Sequence, residues 1–526
     1  MADEEQAKMA ETTVHGARSE RTRSGDVRLL RDLVLDTDSW TSWDVPIARP
    51  EQNDLYAREL IAAAEHSGQD EAIITGEGRL RGRRVAVVAG QFGFLAGSIG
   101  VAAAERLIAA VERATEEGLP LLAAPVSGGT RMQEGTVAFL QMIGITAAIA
   151  RHKQAGLPYL VYLRDPTFGG VLASWGSTGH VTIAEPGASI GFLGPRVYQT
   201  LYGEPFPEGV QTAEHLAEYG LIDAVVKHED IAEVADRALR VLAARQTWHL
   251  DVADASRPAI EDGTADDDPE DGRTAWEIVV ASRRSDRPGV RQLLRTAATD
   301  VVGLSGTGAG ERDPGLLLAL ARFGGAPCVV LGQDRRGQSL FAPLGPGALR
   351  EARRGMRLAQ ELRLPLVTLI DTPGAALSRE AEEGGLAAEI ARCLQDMVML
   401  EAPTLAVLLG QGTGGGALAL VPGDRVLAAA NGWLGPLPPE GASAIVHRTV
   451  DRAGELAEQQ GVRATDLWRA GIVDRVVPEY PDAADEPAEF CLRLGRVLGE
   501  ELAGLLGRED RERVRSRLHR YRRLGR

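Results

Sequence analysis

Short continuous apolar runs alternate along this chain with stretches in which apolar residues return every third or fourth position. That is the pattern of buried strands followed by helices presenting one face to them. The first run, RRVAVVAG (83–90), is followed by the helical stretch VAAAERLIAAVERATEEG (101–118). LPLLAAPVSGG (119–129) predicts a second strand ending in a glycine turn. A further helix, the strand LPYLVYLRDPTFGG (157–170) with its own glycine turn, and a segment opening AEPGASIGF (184–192) complete the set. The order returns downstream as APCVVLGQ (326–333), ALREARRGMRLAQELR (348–363), LPLVTLIDTPG (364–374), APTLAVLLGQGTGGG (402–416) and LPPEGASAI (437–445). Strands and helices joined by loops of a few residues predict an α/β fold of parallel β-α units, with the helices outside the sheet. Meeting the order twice predicts a duplicated domain and an active site between the two copies.

The pattern lapses in two places. Residues 1–27 are polar and charged with no period, which predicts a flexible tail; VRLLRDLVLD then predicts a short helix starting at Val27. The stretch DVADASRPAIEDGTADDDPEDGR (251–273) is rich in Asp, Glu, Pro and Gly and poor in large apolar residues, which predicts a solvated linker. The expected domains are therefore 28–250 and 274–526.

Composition narrows the function. Of 526 residues, 44% are hydrophobic and 25% charged, enough for two buried cores. A formal net charge of −16 argues against nucleic acid or an anionic membrane as partner, although a local arginine cluster or helix N terminus can still take a phosphate. The cysteines, Cys328, Cys393 and Cys491, form no C-x-x-C pair, so neither a disulfide framework nor a zinc ribbon is expected. MADEEQAKMAETT at the start is acidic and polar, unlike a signal peptide, and no apolar run is long enough to cross a bilayer. The chain is expected in the cytoplasm.

The chemistry-bearing features are two glycine turns, Thr167–Ser174 (TFGGVLAS) and Gly412–Ala419 (GTGGGALA). Each follows a buried strand and opens a helix of small residues. Glycine admits a ligand close to the backbone, and the first N–H groups of a helix lack acceptors and lie at its positive end. Two such groups aimed at one oxygen form an oxyanion hole. One turn alone is as readily explained by tight helix–strand packing; two at matching places in two repeats point to function. A phosphate cradle is the other reading, but no G-x-x-x-x-G-K-[ST] supports it. No G-x-S-x-G elbow is expected, H-E-x-x-H and metal-spaced His/Cys sets are missing, and scattered histidines such as His180 read as packed or solvated. An enzyme without a nucleophile motif fits enolate chemistry, in which oxyanion stabilisation is the essential element.

At these residues the chain resembles a known family. FGFLAGSIG (92–100), VSGGTRMQEG (126–135), LRDPTFGGVLAS (163–174), IAEPGASIGFLGPRV (183–197) and EGVQTAEHLAEYGLIDAVV (208–226) resemble the β subunit of bacterial acetyl-CoA carboxylase carboxyltransferase. RPGVRQLL (287–294), LIDTPGAALSREAEEGGLAAEIARCLQDM (369–397), GQGTGGGALAL (410–420), PPEGASAIVHR (438–448), GIVDRVVPE (471–479) and the basic RVRSRLHRYRRLG (513–525) resemble its α subunit. There are three departures. The zinc ribbon preceding many β subunits is missing; Gln411 and Gly414 stand where Glu and Ser are usual; and SGTGAGERDPG (305–315) matches the α pattern only loosely.

The resemblance implies two tandem crotonase-like domains, each a spiral of β-β-α units, and a biotin-dependent acetyl- or acyl-CoA carboxyltransferase. Carboxybiotin would be supplied in trans by a biotin carboxylase and biotin carrier protein, the ureido nitrogen would take the acyl-CoA α-proton, and the enolate would accept the carboxyl group. Gly169 and Gly170 would hold the biotin ureido oxygen. Gly416 and Ala417, with Gly415, would hold the thioester enolate oxygen. Ser127, Gly128, Gly129, Thr130 and Arg131 would line the CoA channel, with Gly374 and Ala375 as further ligand-binding positions. No metal is implied, and a homodimer or higher homo-oligomer is. A malonyl-thioester decarboxylase of the same superfamily and a non-catalytic scaffold of a carboxylase complex are the alternatives.

Overall fold

The computed structural model describes residues 27–47, 54–244, 272–339 and 343–523. The expected tail over 1–27 and linker over 251–273 fall almost wholly outside these residues. The chain forms two compact units, Met1–Leu239 and Arg240–Arg526. A helix at Val27–Val34 opens the first unit, as its sequence predicts.

Among the described residues the N-terminal unit carries nine strands: β1 Thr41–Ser42, β2 Ile73–Leu80, β3 Arg83–Gly90, β4 Leu121–Ala124, β5 Tyr159–Leu163, β6 Thr167–Phe168, β7 Val181–Ala184, β8 Ile190–Gly191 and β9 Ala224–Val225. Seven form one sheet in the order β1-β2-β3-β4-β5-β7-β9, while β6 and β8 pair separately. From β3 onward the sheet is parallel, with Ala86 opposite Leu121 and Leu121 opposite Tyr159. All five residues of β5 are buried, as expected of a central parallel strand covered on both faces.

The C-terminal unit repeats the plan with β10 Thr299–Leu304, β11 Leu316–Phe323, β12 Ala326–Gln333, β13 Leu366–Thr372, β14 Thr404–Thr413, β15 Arg425–Ala429, β16 Trp433–Gly435 and β17 Arg475–Val477. The order is β10-β11-β12-β13-β14-β15-β17, with β16 beside β14. Strands β3 and β12 coincide with the predicted runs, and the helices Val101–Glu116 and Pro346–Leu362 with the predicted helical stretches.

The sheets are not parallel throughout, contrary to the apolar pattern. Each unit opens on an antiparallel hairpin, β2–β3 and β11–β12. Both turns are two residues long with positive φ at both positions: Arg81 (+47°) and Gly82 (+85°), then Gly324 (+54°) and Gly325 (+83°). That is the backbone whose twist matches the flanking strands. Gly324 has a second reason to be glycine, because a Cβ there would lie 3.2 Å from Gly499 Cα of the helix Pro487–Leu506. The hairpin followed by a helix is the β-β-α unit.

Each unit has its own core. In the first, Ala103, Ala104, Leu107, Ala110, Val111 and Ala114 line one side of the helix Val101–Glu116 and pack with Val88, Leu121, Tyr159, Val161 and Trp175. In the second, Val330, Val367, Leu369, Leu405 and Val407 pack against Phe490, Leu494 and Leu498. Complete burial of one such leucine or valine contributes about 1.5–3 kcal/mol.

Candidate active site

In the N-terminal unit the two glycine segments meet beyond the ends of β4 and β5. Ser127 bridges Thr167 in parallel register, and the Phe168 N–H donates to the Ser127 carbonyl (2.9 Å). The fully buried Ser127 hydroxyl shapes the turn after β4: it accepts from the Gly129 N–H (3.0 Å) and donates to the Gly129 carbonyl (3.2 Å). Gly129, at φ +120°, is one position where the backbone requires glycine. Thr130 then bridges Ile99. The Ile99 N–H donates to Gly129 and the Arg131 N–H to Ile99 (both 3.0 Å), so the intervening Thr130 N–H faces away from this ladder and, among the described residues, has no acceptor.

The C-terminal unit rebuilds this arrangement with different residues. Thr372 stands for Ser127: its hydroxyl accepts from the Gly374 N–H (3.1 Å) and lies 3.1 Å from the Gly374 carbonyl, while donating to Gln338 Oε1 (2.6 Å). Ala375 bridges Leu344 as Thr130 bridges Ile99, and the Ala376 N–H donates to Leu344 (2.9 Å). Thr372 is opposite Gly412 as Ser127 is opposite Thr167. Two residues further on, Gly169 (+68°) and Gly414 (+63°) share the left-handed conformation. The register therefore equates Gly170 with Gly415, so the residues expected to hold an oxygen in the second half start at the matching position and run one turn into the helix Gly414–Leu418.

Both turns bring helix N–H groups close to the bridging residue. A Cβ on Gly170 would lie 3.4 Å from Thr130 Oγ1 and 3.3 Å from Met142 Cγ; one on Gly416 would lie 3.5 Å from the Ala375 nitrogen. Thr130 and Ala375 thus lie beside the two glycine turns, and the N–H groups of Gly414, Gly415 and Gly416 have no acceptor inside their own helix; Ala417, fourth in that helix, is the first whose N–H has an intrahelical acceptor position, the carbonyl of the N-cap Thr413. Gly169 does not act as a donor, because its N–H is committed to the Gly191 carbonyl (3.2 Å); it supplies the turn instead. The Gly170 N–H has no protein acceptor among the described residues.

Arg131 also departs from its expected place along a ligand channel. Its guanidinium is completely enclosed and forked onto Glu71, itself completely enclosed, with further bonds to the Ser98 carbonyl (2.7 Å) and Tyr56 (3.4 Å). It anchors the loop from behind. Gly128 is likewise tied, its N–H donating to Ala96 (2.8 Å). His180 is buried and accepts from the Tyr159 N–H (2.9 Å), a packing role.

A buried polar network that the sequence pattern does not announce supports the C-terminal turn. Asp371 accepts from the Gln411 N–H (3.2 Å) and faces Arg335 (3.2 Å). Its burial raises the carboxyl above the usual carboxylate range, opposed by Arg335 and Arg287. Gln333, at the end of β12, accepts from the Asp371 N–H (3.1 Å) and donates to the Gly416 carbonyl (2.7 Å). Thr413 carries a buried hydroxyl without a partner among the described residues. The segment 305–315 is lashed to the helix Pro346–Leu362: Arg354 binds the carbonyls of Ser305 and Gly306 (3.0 and 2.9 Å), Arg350 forks onto Glu311, and Asp313 accepts from Gly345 (3.0 Å). Glu351 accepts from the Gly306 N–H (3.1 Å), and burial pushes its carboxyl up to about 7. Among the described residues no group of three or more His, Cys, Asp or Glu could hold a metal ion, and no helix is long and apolar enough to cross a membrane.

Two β-β-α spirals, each placing a glycine-opened helix beside a bridging turn, are the crotonase-like architecture of the carboxyltransferases. The comparisons agree. Residues 31–504 match the family described as "Carboxyl transferase domain". The chain is 61% identical over 497 residues to a Mycobacterium tuberculosis protein called a probable biotin-dependent acyl-coenzyme A carboxylase beta3 subunit, covering 94% of this chain and 98% of that one. It is 35% identical over 478 residues to acetyl-coenzyme A carboxylase carboxyl transferase subunits beta/alpha of Saccharopolyspora erythraea, covering 89% of this chain and 83% of the relative. Among solved structures, transcarboxylase 12S shares the fold, with a TM-score of 0.69 at 21% identity over 94% of this chain and 95% of that chain. The chain belongs to the carboxyl transferase family, and it is a carboxyltransferase.

Proposed function

We propose that this chain is the carboxyltransferase subunit of a biotin-dependent acyl-CoA carboxylase, acting in the cytoplasm on acetyl-CoA, or another short acyl-CoA, to give malonyl-CoA or its homologue. The observation that carries the reading is the pair of matched main-chain donor sets, Thr130 with Gly170 and Ala375 with Gly415 and Gly416. Donors fixed before reaction stabilise an oxygen as its charge develops, without reorganising. By family resemblance, the N-terminal set takes the ureido oxygen and the C-terminal set the thioester oxygen. Glycine at 170 and 416 keeps the approach to each set open. Carboxybiotin, when bound, supplies the carboxyl group and the basic nitrogen, which is why the chain needs no base of its own. The partner is a separate biotin carboxylase with its biotin carrier, and the minimal active unit is a homodimer.

The test is reconstitution with such a partner and transfer of labelled bicarbonate to a panel of acyl-CoAs. Labelled carboxyl on at least one thioester is expected. Decarboxylation of malonyl-CoA without any transfer to or from biotin, or no reaction at all, would overturn the reading. Light scattering that finds an active monomer would overturn the assembly.

A further inference from the structure

The buried glutamine behind the C-terminal turn does something the turn cannot do for itself. After the short helix Gly414–Leu418 the hydrogen bonds tighten. The Ala419 N–H donates to Gly415 (3.0 Å), but the Leu420 N–H donates to Ala417 (3.0 Å) and the Val421 N–H to Leu418 (3.3 Å). The Gly416 carbonyl, which Leu420 would serve in a regular helix, is passed over. Gln333 serves it instead, from 83 residues away in sequence, with Nε2 2.7 Å from the carbonyl oxygen. The amide is itself fixed, since its oxygen accepts from the Asp371 N–H (3.1 Å) and the side chain is fully buried. In a planar trans peptide the C=O and N–H point in opposite directions. Whatever holds the Gly416 oxygen therefore fixes the Gly416–Ala417 peptide and, through it, the short helix Gly414–Leu418.

Among the described residues the N-terminal unit has no such side chain. Register places Gly90 where Gln333 stands, since Ala86 opposite Leu121 matches Val329 opposite Leu366. There the carbonyl equivalent to Gly416, that of Val171, takes its bond locally from the Gly176 N–H (2.8 Å).

We propose that Gln333 is a positioning residue of the acyl-CoA site, pinning the Gly416 carbonyl and with it the short helix whose free N–H groups, those of Gly415 and Gly416, donate to the thioester oxygen. The inference rests on the carboxyltransferase reading. Its function is that of a donor: Gln333 must give a hydrogen to Gly416, and an acceptor of the same shape cannot replace it.

Two variants separate that function from packing. Gln333→Met keeps the volume and loses both bonds. Gln333→Glu keeps the acceptor for Asp371 but, when ionised, presents a second acceptor to the Gly416 oxygen. In the reconstituted carboxylase, kcat falls by about 10–10²-fold in both at neutral pH or above, with KM for the acyl-CoA nearly unchanged, because a misaimed oxyanion donor acts chiefly on the transition state. As pH is lowered, Gln333→Glu recovers relative to the native chain, since the protonated carboxyl can donate again, whereas Gln333→Met does not. Hydrogen exchange is followed in parallel across residues 414–420 and is faster in Gln333→Met. A native chain that transfers carboxyl, with both folded variants within twofold of its kcat at every pH, overturns the proposal. A native chain inactive on every acyl-CoA, with exchange at 414–420 accelerated in Gln333→Met, overturns the functional reading and supports the orienting bond; unchanged exchange there overturns both.

Discussion

Replacing Gly416 by alanine adds one methyl group at the point where the proposed C-terminal donors converge. Gly416 lies outside the left-handed region, so an alanine meets no backbone strain. Its Cβ would lie 3.2 Å from Leu344 Cδ2, the tip of a flexible side chain, and 3.5 and 3.6 Å from the nitrogen and Cβ of Ala375. The crowding is modest, and alanine gains about 1 kcal/mol in helix propensity over glycine. Stability should therefore change by less than about 1 kcal/mol. Activity should not be spared. An oxygen bound by the Ala375 N–H must come within about 2.9 Å of that nitrogen, and the methyl group stands at the same edge. Loss of one such donor lowers kcat by about 10²–10³-fold, or roughly 3–4 kcal/mol. Gly414→Ala provides the contrast: its φ of +63° makes a side chain there cost about 1–2 kcal/mol of stability. Initial rates of labelled carboxyl transfer give kcat and KM, and thermal melting followed by circular dichroism gives stability. Gly416→Ala with native melting and kcat within threefold of native would refute the claim that main-chain donors at this turn carry the reaction.

Other outcomes follow from the buried charges. Glu351 has its carboxyl raised from 4.5 to about 7 by burial, so the stability it contributes is complete below about pH 4.5 and is lost as pH rises through about 7. The shift corresponds to about 3 kcal/mol at most. Glu351→Gln should melt higher than the native chain at pH 8 and alike near pH 4.5, and an equal difference at both pH values would contradict this. Arg131→Met leaves Glu71 buried without its partner and should destabilise the N-terminal unit by about 3–5 kcal/mol, whereas Arg131→Met with Glu71→Leu should recover most of the loss. If Arg131→Met melted like the native chain while KM for acyl-CoA rose, Arg131 would be a ligand contact instead of an anchor.

The hydrophobic pattern by itself determined the repeated strand–helix order and the limits of β3 and β12, because a strand buried on both faces must be written as an unbroken apolar run. It also marked both glycine turns, since close approach to a helix N terminus leaves room for little else. The antiparallel hairpins were legible only faintly, in Gly324-Gly325 and in Gly82; β2 and β11 differ from parallel strands in their pairing, which an apolar run does not record. Which N–H groups remain free was decided by the tertiary structure alone. Gly169 and Gly170 are adjacent and identical in sequence, yet the carbonyl of Gly191 takes the N–H of the first and leaves that of the second. Arg131 lies in a glycine-rich loop that reads as ligand-binding, and Glu71, from a distant segment, turns it into an anchor. Gln333 sits at the end of an apolar strand where nothing nearby distinguishes it, and its partners are Asp371 and Gly416. A residue type states what hydrogen bonds it can make; only the fold, by bringing remote segments together, settles which of them are already made and which are left for a ligand.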